Sequence, residues 1–179
     1  MKGNDSMELL EYFDADNKKC MGIEERKIIH EKNLWHREVA VWVMNENKEL
    51  LLQRRSPQKK QGANKFSVVA GHVGIKERET LGAIRELEEE IGLIIDENDL
   101  ELIDIYKNEK EGNNCFSYTY LVKTNKKISD MVMQADEVSE LKFISIEELE
   151  NKIDNQDKEL PLVKRPYIRM LLEEIKKRC

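Results

Sequence analysis

Between Glu77 and Glu90 the chain carries six glutamates, and three of them, Glu86, Glu89 and Glu90, fall at the helical spacings i, i+3 and i+4. Carboxylates so spaced share one helix face and repel one another. Two arrangements tolerate this. One is a solvated face. The other is a divalent cation among the carboxylates, since hard oxygen ligands on a rigid surface, with room for waters and phosphate oxygens, suit Mg2+. On a wheel of about 100° per residue, Leu81, Ile84, Leu87 and Ile91 line the opposite side. That stripe is expected to be buried, with the three glutamates standing away from it. Glu88 falls toward the apolar side with no evident partner.

The flanks narrow the choice. Gly71 is followed after five residues by Glu77; seven more lead to Arg85-Glu86-Leu87, and then come Glu89-Glu90, Gly92 and Leu93. At every fixed position this resembles the Nudix box, G-x5-E-x7-R-E-U-x-E-E-x-G-U with U aliphatic, over residues 71–93. A match at so many specified positions is a specific signal. The resemblance implies a metal-dependent hydrolase that cleaves the diphosphate bond of a nucleoside diphosphate linked to another group. It implies Mg2+, with Mn2+ as a substitute, on Glu86, Glu89 and Glu90, with the Gly71 carbonyl as an extra ligand. Arg85 would orient a box glutamate, with Glu77 as its partner. The implied fold is α+β, a mixed sheet sandwiched between helices.

A second resemblance covers most of the first 93 residues. "HREVAVWVMNENKELLLQRRSPQKKQGANKFSVVAGHVG" is similar to the branch of the superfamily that holds isopentenyl-diphosphate isomerase and its hydrolase relatives. The isomerase needs a cysteine just ahead of the box histidine, and this chain has Ala70 there. It also needs a carboxylate on the strand after the box, and "NNCFSYTYLV" has none. The box, which the isomerase lacks in intact form, is complete here. The three differences together favour a hydrolase, with an isomerase-like activity as the alternative. A regulatory module on the same scaffold would be expected to have lost a box carboxylate. His30, His36 and His72 fall near the isomerase's metal-binding histidines. With the isomerase's co-ligand carboxylates missing, they read as strand and loop residues rather than as a second metal site.

Arg54 and Arg55 close a strand near the box, and Lys59 and Lys60 follow; all four are candidate phosphate contacts. Neighbouring strand residues face opposite sides, so only one arginine can enter the cleft, where its fork would suit a phosphate. The lysines read equally as a solvated loop. Asp136 and Glu137 join Glu89 as candidate general bases. Trp35, Trp42, Phe116, Tyr118 and Tyr120 read equally as core or as a stacking platform.

The elements that must hold these groups follow from pattern. "HREVAVWVMN" and "ELLLQRR" read as a strand hairpin, "KFSVVAGHVG" as a short strand ending at glycines, and "LELIDIYKNEK" and "CFSYTYLVKT" as a pair. "MELLEYFDADNKKCMG" reads as a strand and turn, "EERKIIHEKNLW" as a short connection and "EVSELKFISI" as a strand. Ser145 caps the next helix, with Glu148 three residues on. Pro166 opens the last. At 179 residues a single domain over 1–179 is expected, as a monomer or homodimer. A net charge of −6 lowers the expectation of a nucleic-acid binder, so the expected partner is a small-molecule diphosphate. No apolar run approaches the roughly 20 residues of a membrane span. The N-terminus lacks a signal-like apolar segment. Cys20, Cys115 and Cys179 form no CxxC pair, as expected of unpaired thiols in a reducing, cytoplasmic setting.

Overall fold

The computed structural model describes residues 8–59, 61–165 and 167–179. The roles expected of Lys60 and Pro166 fall outside them. The chain opens with a hairpin, β1 (Leu9–Phe13) and β2 (Cys20–Glu25), and a short helix, α1 (Arg26–Glu31). Then come β3 (His36–Met44), β4 (Leu50–Arg55), β5 (Phe66–Ser67) and β6 (Val69–His72). The box helix α2 spans Glu79–Ile91. After it come β7 (Glu101–Asn108), β8 (Cys115–Lys123), β9 (Val138–Ile144), α3 (Ile146–Asp154) and α4 (Ile168–Lys176).

The main sheet runs β5-β4-β3-β8-β7, with β6 paired to β3 and β9 to β4. β3 and β8 are parallel, His36 opposite Cys115 and Met44 opposite Lys123; β6, β7 and β9 pair antiparallel. The expected β3–β4 hairpin meets only at Met44 and Leu50. Beyond that pair the strands splay, β3 turning to β6 and β4 to β9.

β3 reads as a nearly continuous apolar run because both its faces are covered. Val39, Val41 and Val43 join Leu51, Val69, Leu87 and Ile91 under α2. Ala40, Trp42 and Met44 join Leu50, Leu52, Leu149, Leu171 and Ile175 under α3 and α4. The sheet is thus sandwiched between helices, as expected. Ser145 caps α3, accepting from the Glu148 amide at 3.0 Å. Gly92 closes α2 in the left-handed region (φ 66°), where a side chain is costly.

The buried stripe of α2 differs from the expected one. Leu87 and Ile91 are buried, but Leu81 is 42 % exposed, and the inner face is completed by Gly82, Ala83 and Glu90. Two small residues let the first turn of α2 lie close to the loop before it. That rotation carries Glu90 inward and leaves Leu81 and Glu88 outside.

Candidate active site

β6 brings Gly71 against α2. A Cβ built on Gly71 would lie 2.1 Å from the Glu86 carboxyl carbon, so only glycine lets strand and carboxylate approach this closely. The loop between them is tied by Glu77, which accepts from the Gly74 amide at 2.6 Å. Arg85 then binds the site together. Its Nε and Nη2 donate to Glu77 at 2.9 and 3.0 Å, Nη1 to Glu86 at 2.7 Å and to Glu89 at 3.2 Å, and Nη2 to the His72 carbonyl at 2.9 Å. The pairing expected with Glu77 is present and extends to two further carboxylates.

Glu86 and Glu90 do not form a solvated face. Glu90 is 5 % exposed, and burial pushes its carboxyl up to about 7, with Glu86 and Glu137 adding repulsion. Burial also raises Glu86, despite Arg85. Only Glu89 is largely open to solvent. Buried hard-oxygen donors that repel one another, beside a glycine that leaves them room, fit a divalent cation. The groups that would hold one are Glu86, Glu89, Glu90 and the Gly71 carbonyl.

The raised Glu90 carboxyl predicts a pH dependence. Its contribution to stability is complete below 4.5 and is lost as pH rises through about 7, because the folded state holds a proton that the unfolded chain has released. The effect is on the order of 3 kcal/mol. In metal-free protein, Tm should fall between about pH 5 and about pH 8 more for wild type than for Glu90→Gln. Mg2+ should restore wild type at the upper pH. Parallel melting profiles of the two proteins would contradict this.

Sequence reasoning missed Gln53. It is 2 % exposed, and its Nε2 donates to Glu90 Oε2 at 2.6 Å and to the Val68 carbonyl at 3.3 Å. The available signal was a lone amide on the inward face of an apolar strand.

The remaining expectations divide. Arg55 lies close enough for its charge to act on Glu90, and it donates to the Gln61 carbonyl at 3.2 Å. Arg54 points away. It pairs with Glu140 at 2.7 Å and lies 4.1 Å over the Phe66 ring, so it is not brought to the cluster. Lys59 is ion-paired with Glu137 rather than standing free for phosphate. Glu137 acts electrostatically on Glu90, whereas Asp136 is exposed. Trp42, Phe116 and Tyr120 are buried core residues.

The three histidines are brought together. One ring nitrogen from each lies within 4.8 Å of the others. His36 Nδ1 faces the Leu34 carbonyl at 3.3 Å, and His72 Nδ1 faces Glu8 at 3.1 Å. With its proton on Nδ1 toward these acceptors, each ring would present the Nε2 lone pair to a cation. Both Nε2 atoms approach Glu38 Oε1, at 3.4 Å from His36 and 3.7 Å from His72. The His30 and His72 Nε2 atoms are buried and have no hydrogen-bond partner among the described residues. Burial pushes the His30 imidazole down to about 4, so its ring is neutral near pH 7. The expectation that carboxylates were missing is therefore corrected. β8 carries none, but Glu38 of the neighbouring β3 and Glu8 ahead of β1 supply them.

A model of the NUDIX domain matches residues 34–166. An uncharacterized Nudix hydrolase of Clostridium acetobutylicum is 36 % identical over 158 residues, covering 83 % of this chain and 75 % of its own. Among solved structures, a Deinococcus radiodurans protein superposes with a TM-score of 0.72 at 19 % identity, over 94 % of this chain and 99 % of its own. A Francisella tularensis bifunctional NMN adenylyltransferase/ADP ribose pyrophosphatase, complexed with AMP and a manganese ion, gives a TM-score of 0.57 at 22 % identity, over 78 % and 42 %. With a complete box on that fold and a Nudix hydrolase among its relatives, the chain belongs to the Nudix family as an enzyme of the pyrophosphohydrolase kind.

Proposed function

We propose that the enzyme cleaves the diphosphate bond of a nucleoside diphosphate linked to another group, or of a related organic diphosphate, with Mg2+ as cofactor and Mn2+ as a substitute. The observation that carries this reading is Glu86 packed against Gly71, with Glu90 near enough to repel it and Arg85 tying Glu86 and Glu89 to Glu77. A cation bound there supplies charge neutralisation and Lewis acidity to a polyanionic substrate and a water nucleophile. The protein does the positioning. Arg85 fixes Glu77 and Glu86, Arg55 offers a guanidinium beside Glu90 for a phosphate, and Glu89 and Glu137 are the proton acceptors at the cluster.

The Francisella neighbour motivates including adenosine diphosphates in a substrate panel, alongside nucleoside triphosphates, dinucleotides, nucleotide sugars, coenzyme A and thiamine diphosphate. Release of a phosphate-containing product from at least one member supports the reading. No cleavage of any, by folded protein with Mg2+ or Mn2+, would count against it. Isopentenyl diphosphate should not be converted to its dimethylallyl isomer.

A second cation site at the histidines is favoured by a specific observation. The 3.4 and 3.7 Å gaps to Glu38 are long for hydrogen bonds. They suit two ligands of one ion with bonds of about 2.0–2.1 Å, whose tetrahedral edge is roughly 3.3–3.4 Å. Imidazole donors select a transition metal such as zinc, and the Glu8 contact to His72 is the outer-sphere support such ligands use. Protein dialysed into Mg2+ buffer should retain about one equivalent of transition metal. His36→Ala should lose it, and strong chelation should lower the wild-type Tm. Background metal content together with an unchanged Tm would contradict the site.

A further inference from the structure

We infer that Gln53 is a positioning residue for diphosphate cleavage, acting by fixing the orientation of the Glu90 carboxylate. The inference rests on the reading of the box given above.

Gln53 occupies a place where the strand calls for an apolar side chain. β4 turns Leu50 and Leu52 toward α3 and α4, and Leu51 toward α2. Gln53 shares the Leu51 face by strand alternation. An amide buried there is costly unless its groups are paired. Both donors of its amide nitrogen are satisfied by one arrangement alone: one hydrogen goes to the Val68 carbonyl and one to Glu90 Oε2. Flipping the amide would set its oxygen against two acceptors, so the side chain has one orientation. In that orientation Oε1 is buried with no hydrogen-bond partner among the described residues. A leucine at 53 would avoid this unpaired oxygen, so packing stability does not account for the amide.

Its chemistry suits the neighbouring carboxylate instead. A lysine or arginine at this place would neutralise Glu90 and compete with a cation for it. A carboxylate would repel it, and a leucine would leave it free to turn. The amide engages Glu90 Oε2 without adding charge, so it orients the carboxylate without competing with a cation for it. β4 is buried within the sheet, which makes the anchor rigid.

A double-mutant cycle tests the coupling. Gln53→Leu should lower kcat by about 10- to 100-fold, the loss of one hydrogen bond to a charged group. The substrate KM should stay within about threefold. In a Glu90→Gln background, Gln53→Leu should cost no further turnover, because the group it orients is already disabled. The same cycle is read a second time, without turnover, as the Mg2+-induced rise in Tm. Gln53→Leu and Glu90→Gln should each shrink that rise, and the double variant should match Glu90→Gln. Wild-type kcat in Gln53→Leu, or losses that multiply in the double variant, would overturn the inference. Gln53→Met, unbranched and of similar length, serves if the leucine variant does not fold. If Glu90→Gln itself keeps wild-type turnover, the box reading fails; if it does not and Gln53→Leu does, only the role of Gln53 fails.

Discussion

Glu90→Gln should lower kcat by about 100- to 1,000-fold on the best substrate of the panel, as expected when several kcal/mol of charge stabilisation are withdrawn. Glu88→Gln, on the same helix, should leave turnover within about twofold, since surface substitutions away from such features change little. The contrast comes from where α2 sits. Glu90 is buried between β4 and the box, bonded to Gln53, whereas Glu88 is exposed. The amide replacement keeps size and shape, so the folded state should persist. Far from costing stability, it should relieve the metal-free protein above neutral pH, where a buried, ionised Glu90 is repelled by Glu86 and Glu137. Glu79→Gln is a poorer control than sequence alone suggests, because Glu79 accepts from Arg37 at 2.7 Å and ties β3 to the start of α2. Steady-state kinetics and melting curves of wild type, Glu90→Gln and Glu88→Gln check this directly. Equal losses in the two variants would mean that the box face is not where turnover occurs.

Gly71→Ala should cost as much turnover as removing a ligand, although it removes no charge. The added methyl would meet the Glu86 carboxylate at 2.1 Å, well inside any tolerable contact. Either the carboxylate turns away or β6 retreats from it. If the carboxylate turns, it leaves Arg85 Nη1 and the cluster. If β6 retreats, it strains the pairing of Gly71 with Val39 and the His72 carbonyl that Arg85 uses. We expect a fall in kcat of about 100-fold, since small misplacements at a reacting centre carry penalties of that size. Tm should drop by a few degrees, and the Mg2+-induced rise in Tm should be lost. An alanine variant with wild-type kinetics would show that the close approach of strand and carboxylate plays no part in catalysis.

How far the sequence reached depended on what kind of information each feature carries. The box was legible because its spacing is one-dimensional, and the Arg85–Glu77 tie followed from it. The sandwiched sheet was expected from the resemblance, and the apolar run of β3 is its physical cause. The setting of α2 was not. A helical wheel registers apolar residues, whereas the close approach here comes from Gly82 and Ala83, whose smallness carries no hydrophobic signal. Gln53 and Glu90 are 37 residues apart and meet only through the packing of α2 on the sheet. Strand alternation set the two arginines on opposite faces but did not say which one neighbours the box. Arg54 lies opposite Glu140 of β9, and Arg55 is the one whose charge reaches Glu90. The histidines' carboxylate was hidden for a similar reason. It was sought on the strand after the box, yet the parallel register sets Glu38 of β3 beside Ser117 of that strand.

We propose that cleavage of a diphosphate requires a divalent cation on the box carboxylates. The most direct measurement follows product release from the best substrate of the panel with Mg2+, then with excess chelator, then with Mg2+ restored. Turnover is expected with Mg2+, should be lost on chelation and should recover on re-addition, and in Glu90→Gln the Mg2+-supported rate should be about 100- to 1,000-fold lower. Turnover that continues unchanged under chelation, or that Glu90→Gln sustains at the wild-type rate, would contradict it.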